Sequence, residues 1–251
     1  MSEAMKIEDY LAQGGVLSSP ENAPARYRGE LMRLMASFVD SELAGSAGFA
    51  EVINASPGIK SRIAAARIVL EKADHAERVL GIMGTFGADM ARYAVHQPWA
   101  ARLARDADLG AARHGGDMRL SVFHYPLQGW SDAVVMNVLM GLATVVQLAE
   151  LSRVSYGPLA ETFRQIAPRE LRHCELGLEG LRQIAEQGQS RHAAKASVAY
   201  WRPRVEATFG MAGSARFDLL RRFGLRHRPN EELLADWTAR ADAHLADLNL
   251  I

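Results

Sequence analysis

Two stretches of this sequence place ionisable side chains on otherwise apolar helical stripes. In one, Ala65, Ile68, Lys72, His75, Val79 and Ile82 recur at the spacing of a single helix face. In the other, Leu159, Phe163, Ile166, Glu170, His173 and Leu176 do the same. Residues three apart sit on one face about a turn apart, so Glu170 and His173 can address one point, as can Lys72 and His75. In a four-helix bundle with a carboxylate-bridged iron pair, two helices each supply Glu-x-x-His and the other two each supply one carboxylate. Carboxylates suit hard iron and imidazoles complete its shell. Glu170-x-x-His173 fits this pattern; Lys72-x-x-His75 repeats it with the acid replaced by a base.

The remaining positions follow from periodicity. Glu42 lies on the stripe of Leu31, Met35, Phe38 and Phe49 and is the candidate single carboxylate of the first half. The stripe of the second half reads Val134, Val138, Gly141, Val145, Leu148, with glycine where its carboxylate is expected. Arg67, Glu71, Asp74 and Arg78 share a different, polar face, so Glu71 is expected to point to solvent and Lys72 inward. Asp132 falls on another face and reads as a hydrogen-bonding group near a helix start. A buried lysine needs a partner, because an unpaired buried charge costs several kcal/mol; Glu42 and Glu170 are the expected ones. The candidate catalytic set is therefore Glu42, Lys72, His75, Glu170 and His173. Glu42, His75, Glu170 and His173 are the ligands if iron or another metal binds. Three readings stand: an ion-pair network in an inactive core, one metal, or an iron pair. The donor set favours one metal or none over two.

Four long helices, over about 27–54, 59–86, 130–154 and 159–187, have turns at Ala55-Ser56-Pro57-Gly58 and Tyr156-Gly157-Pro158. They make two antiparallel hairpins. The glycine-containing stretch 105–130 joins them as a long crossover, the connectivity of an all-α ferritin-like four-helix bundle. Residues 1–22 read as a loose arm, 88–103 as a short third helix, and 193–209 as a helix. Gly210 to Gly213 breaks the chain, and at least one more helix follows, with Asn230 as its N-cap. The whole chain, 1–251, is read as one domain: arm, bundle core over 27–188, and a C-terminal helical extension over 190–251.

Lys plus Arg equals Asp plus Glu at 29 each, so no net field favours nucleic acid. A single cysteine, Cys174, excludes an internal disulfide and a four-cysteine zinc site and points to a reducing, cytoplasmic setting. The stretch MSEAMKIEDYLAQGG lacks a basic and apolar leader pattern, so no secretion signal is expected. The most apolar run, Val134 to Val146, is shorter than the roughly 20 residues a bilayer needs and reads as a core helix, so no membrane partner is expected.

Several stretches, in order from about residue 25 to 250, carry a resemblance. They are Asp40-Ser41-Glu42, Ala73-Asp74-His75, Ser121-Val122-Phe123-His124-Tyr125-Pro126 leading to Trp130-Ser131-Asp132, and Ser155-Tyr156-Gly157-Pro158. Glu170-Leu171-Arg172-His173, Tyr200-Trp201-Arg202-Pro203 with Phe209-Gly210, and Gly224-Leu225-Arg226 with Asn230-Glu231-Glu232-Leu233 continue it. Together they resemble the catalytic (alpha) subunits of bacterial multicomponent phenylacetyl-CoA epoxygenases. The resemblance implies an aromatic acyl-CoA substrate, a di-iron centre that activates dioxygen, partner subunits, a reductase, and a homo- or hetero-oligomer. The family's ligand positions fall on Glu42, Lys72, His75, Gly141, Glu170 and His173, of which Lys72 and Gly141 depart from the pattern. Three functions remain in view. The first is an epoxygenase alpha-subunit-like protein of phenylacetate catabolism with an altered, impaired centre. The second is a structural or acyl-CoA-binding subunit of an oxygenase complex, and the third a mono-metal or metal-free oxidoreductase.

Arg216, Arg221, Arg222, Arg226, His227 and Arg228 form a basic run, and Arg221, Arg222 and Arg226 are candidates for the phosphates of CoA; a solvated helix face or subunit contact is the alternative. Gly210 to Gly213 follows no strand and is not a nucleotide loop. Cys174 lies about 100° around the helix from His173 and reads as structural. Trp130, Trp201 and Trp237 read as packing or interface residues.

Overall fold

The computed structural model describes residues 7–95 and 98–251. Their elements are α1 (Ile7–Ala12), α2 (Ala25–Val52), α3 (Ile59–Thr85), α4 (Ala91–Val95), α5 (Gly129–Leu151), α6 (Gly157–Ala185), α7 (Gly188–Glu206), α8 (Ala215–Arg222) and α9 (Asn230–Asp247). Helices α2 and α3 form one hairpin and α5 and α6 the other. The hairpins meet through α3 against α6 and α2 against α5. This is an all-α ferritin-like bundle.

Sequence explains the two tight corners. Pro57-Gly58 cannot continue α2, and Gly58 is extended before α3 begins. Pro158 occupies the first turn of α6, where its missing N–H has no helical partner to lose. Pro168 lies on the exposed side of α6, so the helix carries it while Glu170 and His173 face inward. Helix α5 is long and apolar enough for a bilayer, yet most of it is buried between α2, α6, α7 and α9. It is the core helix expected from its composition, extended beyond its most apolar run.

The crossover is stapled by buried polar groups. Asp40 accepts from Met118 N at 2.6 Å and Trp99 Nε1 at 3.3 Å, and Ser41 Oγ accepts from Leu120 N at 3.0 Å. Asp40 and Ser41 thus tie the loop to α2 while Glu42, next in sequence, turns into the bundle. Asp132 accepts from Arg105, Ser197, Trp201 and the backbone N–H of Gln128, the hydrogen-bonding role its position suggested. The Arg105 and Arg204 guanidinium carbons lie 3.6 and 3.7 Å from the Tyr200 ring centre, clamping the loop to α7. Trp201 and Trp237 are fully buried, and Trp237 donates to Leu139 O at 2.9 Å. Both pack, as expected.

Three expectations fail. The helix over 88–103, of which 96–97 lie outside the described residues, is only α4 followed by a 3-10 turn at Pro98–Ala100. The carbonyls of Pro98, Trp99 and Ala101 accept from the Arg119 guanidinium instead of continuing a helix. The arm is docked over 7–22, with 1–6 outside the described residues: Leu11 and Leu17 are buried, Leu17 N donates to Ser155 O at 2.7 Å, and Gly157 N donates to Leu17 O at 2.8 Å. Asn230 opens α9 without capping it, because its side chain donates to Met211 O at 3.0 Å and accepts from Arg226.

Candidate functional site

Glu42 from α2, Lys72 and His75 from α3, and Glu170 and His173 from α6 converge in the bundle interior, all buried. Lys72 Nζ lies 3.1 Å from Glu42 Oε1 and 3.0 and 3.1 Å from Glu170 Oε1 and Oε2. His75 Nδ1 lies 3.2 Å from Glu42 Oε2 and 3.0 Å from Glu170 Oε1. Two carboxylate oxygens can only accept, so the hydrogen-bond network assigns a proton to Nδ1. His75 Nε2 has no partner. The His75 and His173 rings stack with centres 5.8 Å apart. Gly45 lies beside the lysine stem and the Phe123 ring: an added Cβ there would stand 3.3 Å from Phe123 Cε1 and 3.4 Å from Lys72 Cδ.

Electrostatics keep the centre charged. Burial alone would discharge Lys72, but Glu170 and Glu42 outweigh it and raise its pKa, so it stays an ammonium. Burial would likewise protonate Glu170, yet Lys72, His173 and His75 hold its pKa well below the ordinary carboxylate value. Burial lowers the His75 pKa, and hydrogen bonds to Glu170 and Glu42 more than reverse the shift.

Glu71 does not point to solvent. Its Oε2 lies 2.7 Å from His173 Nε2, while His173 Nδ1 is 3.3 Å from Glu170 Oε1. The contact spans α3 and α6, so a wheel drawn on α3 alone could not reveal it: the polar face that includes Glu71 borders α6 rather than bulk water.

Metal fit is decided by the same atoms. Donor atoms of Glu42, His75 and Glu170 lie within 4.8 Å of one another, a three-ligand group. Lys72 Nζ already bonds both carboxylates, so a cation on these oxygens requires the lysine to leave. At the fourth-helix position, an added Cβ on Gly141 would lie 3.1 Å from Cys174 Cβ and 3.3 Å from Cys174 Cα. A side chain there requires α5 and α6 to give by a few tenths of an ångström. The residues present do not fit an iron pair. Cys174 itself is buried, its thiol pushed up to about 12 chiefly by burial, and it acts in packing.

A cavity of about 390 Å³ reaches from the surface to Glu42. Buried Ser41 and Glu42 line its inner end, with Phe38, Phe123 and Met140 among its apolar walls; exposed Arg33 and Arg216 stand at its open end, and Arg113 and Arg226 also line it. The three arginines singled out from sequence do not converge. Arg221 and Arg222 are exposed on α8 outside this lining, and Arg222 faces Glu8 at 4.0 Å. Arg226 lines the cavity and donates to Gln147 at 2.7 Å, as Arg216 pairs with Glu30 of the same lining and Arg113 donates to Ser37 Oγ at 3.1 Å. Arg33 and Arg113 escaped the sequence reading because they sit far from the basic run, one on α2 and one in the crossover.

A family described as phenylacetic acid catabolic protein matches residues 5–251. The chain belongs to this family. Over 208 residues it is 25% identical to one of the subunits of the 1,2-phenylacetyl-CoA epoxidase of Escherichia coli (strain K12). The match covers 82% of this chain and 62% of that relative, less than two thirds of its length. In this chain the centre holds an ammonium bonded to both buried carboxylates and a glycine close against the neighbouring helix.

Proposed function

We propose that this protein is an epoxygenase alpha-subunit-like member of aromatic acyl-CoA catabolism whose buried centre is organised by Lys72 instead of an iron pair. The observation that carries this reading is the contact of Lys72 Nζ with Glu42 and Glu170 at 3.0–3.1 Å. An ammonium there supplies the positive charge that two buried carboxylates require. The protein takes an aromatic acyl-CoA into the cavity ending at Glu42, with the phosphates of CoA at Arg33, Arg113 and Arg216, the last exchanging Glu30 for phosphate, and the acyl group among Phe38, Phe123 and Met140. It works as a cytoplasmic component of an oxygenase-type complex with other subunits.

The test is calorimetric titration with phenylacetyl-CoA, free CoA and phenylacetate. The reading expects the thioester to bind tightest, because it alone engages both the arginines and the apolar walls. Equal binding of free CoA and the thioester, or no binding of either, contradicts it.

A single-metal oxidoreductase is the second reading, favoured by the Glu42, His75 and Glu170 group. It requires Lys72 to swing out. Metal uptake that rises when Lys72 is replaced by methionine separates that latent capacity from the natural state.

A further inference from the structure

Two cavities meet at the buried centre. The larger, of about 390 Å³, is the one that ends at Glu42. A second, of about 30 Å³, lies among Lys72, Asn137, Gly141 and Glu170. That is a chamber with room for about one or two water molecules. Phe123, Met140 and Thr144 line both spaces, so these side chains form the wall between them. The central ion pair crosses the same boundary. Glu42 lines the larger cavity and Lys72 the chamber, with Oε1 and Nζ 3.1 Å apart.

The members of the wall are not equivalent. Phe123, from the crossover, packs beside the lysine stem against Gly45, so thinning it would also uncover the lysine. Thr144 is short. Met140, one turn before Thr144 on α5, supplies an unbranched side chain with three heavy atoms beyond its Cβ, the kind that fills irregular gaps. It keeps 9% exposure while its neighbour Leu139 keeps none. Helix α5 runs between other helices, so the surface that Met140 keeps faces the cavities. A ring that advances along the larger cavity toward Glu42 stops at this wall. A fused second ring pointing toward the chamber would overlap Met140, and a packed interior resists such insertion.

We infer that Met140 sets the depth of the acyl cavity, restricting the protein to single-ring acyl groups and keeping them out of the chamber beside Lys72 and Glu170. This specificity rests on the acyl-CoA reading above and deepens it. Met140→Ala removes the three outer heavy atoms and joins the cavity to the chamber. The joined space accommodates the four carbons by which a naphthyl group exceeds a phenyl.

Calorimetric titration of the whole chain with phenylacetyl-CoA and 2-naphthylacetyl-CoA tests it. The natural protein should bind the phenyl thioester at least about tenfold tighter, the scale on which an apolar pocket discriminates by size. Met140→Ala should narrow that ratio about tenfold or more by binding the naphthyl thioester tighter. Met140→Leu, which keeps the wall, should retain the natural ratio. Leu151→Ala, which enlarges the same cavity away from the wall, should not favour the naphthyl thioester. The ratio is taken within one protein, so a general loss of stability does not mimic the effect. Circular dichroism checks the fold, and Thr144→Ala, a smaller opening of the same wall, should move the ratio in the same direction if Met140→Ala does not fold. Phenylacetyl-CoA bound with a ratio unmoved by these openings, or moved equally by Leu151→Ala, overturns the inference alone. A natural protein that binds neither thioester overturns the acyl-CoA reading and this inference with it.

Discussion

Gly141 on α5 and Cys174 on α6 stand so close that a β-carbon on the glycine would lie 3.1 Å from the cysteine Cβ. The family resemblance places a carboxylate on Gly141. In this chain the facing helix stands where a side chain on residue 141 would begin. Contacts this close to a Cβ and a backbone Cα resist adjustment, since interiors are near crystal density.

Gly141→Asp should destabilise the protein by about 1–3 kcal/mol from overpacking alone, read as a fall in the urea midpoint. Cys174→Gly in the same chain should recover only part of this, because Cys174 Cα would still lie 3.3 Å from the new Cβ. An unchanged midpoint for Gly141→Asp would show that α5 and α6 separate freely. Acids at 72 and 141 would therefore hold a metal only if α5 and α6 give way by a few tenths of an ångström.

Lys72→Met leaves Glu42 and Glu170 buried without their ammonium, and breaking such a pair costs about 3–5 kcal/mol. Adding Glu42→Gln and Glu170→Gln to the methionine variant should return a substantial part of that loss. Chemical denaturation at neutral pH measures both. A single variant as stable as the natural protein would mean that Lys72 is dispensable to the core.

Much of this centre is legible in the sequence because helical periodicity reports which side chains share a face. Glu42, Lys72, His75, Glu170 and His173 each lie on an apolar stripe, and the structure brings all five together. Glu71 departs from the solvent-facing place its own helix suggests because its partner, His173, sits on another helix. The crossover was opaque for a different reason: Asp40, Ser41 and Arg119 hold it by hydrogen bonds between residues distant in sequence, which leave no period to read. The arginines of the cavity share this property, since Arg33, Arg113 and Arg216 become neighbours only through the fold.

His124 is buried and neutral, its pKa pushed down to about 4 by burial and by Arg119. Its unfolded value is about 6.5. Above pH 6.5 it is neutral in both states. As pH falls from 6.5 to 4, the unfolded chain binds a proton the folded chain resists, so stability is lost across that window. His124→Asn should flatten the stability profile there without altering its slope at higher pH. Denaturation midpoints measured between pH 4 and 8 decide; an unaltered slope below pH 6.5 would place the acid sensitivity elsewhere.

Arg113→Ala and Arg216→Ala should each weaken phenylacetyl-CoA binding roughly tenfold or more, the scale of one lost charge-assisted hydrogen bond. Arg221→Ala and Arg222→Ala should leave it unchanged, since both lie outside the cavity lining. Isothermal titration of the four variants compares the two sets, and the reverse ranking would return the phosphate site to α8.

The most direct measurement is the metal content of the natural protein purified after growth with iron. An ammonium held by Glu42 and Glu170 predicts no stoichiometric iron. Two irons per chain would contradict the account, because Lys72 and Gly141 would then both have to yield their places.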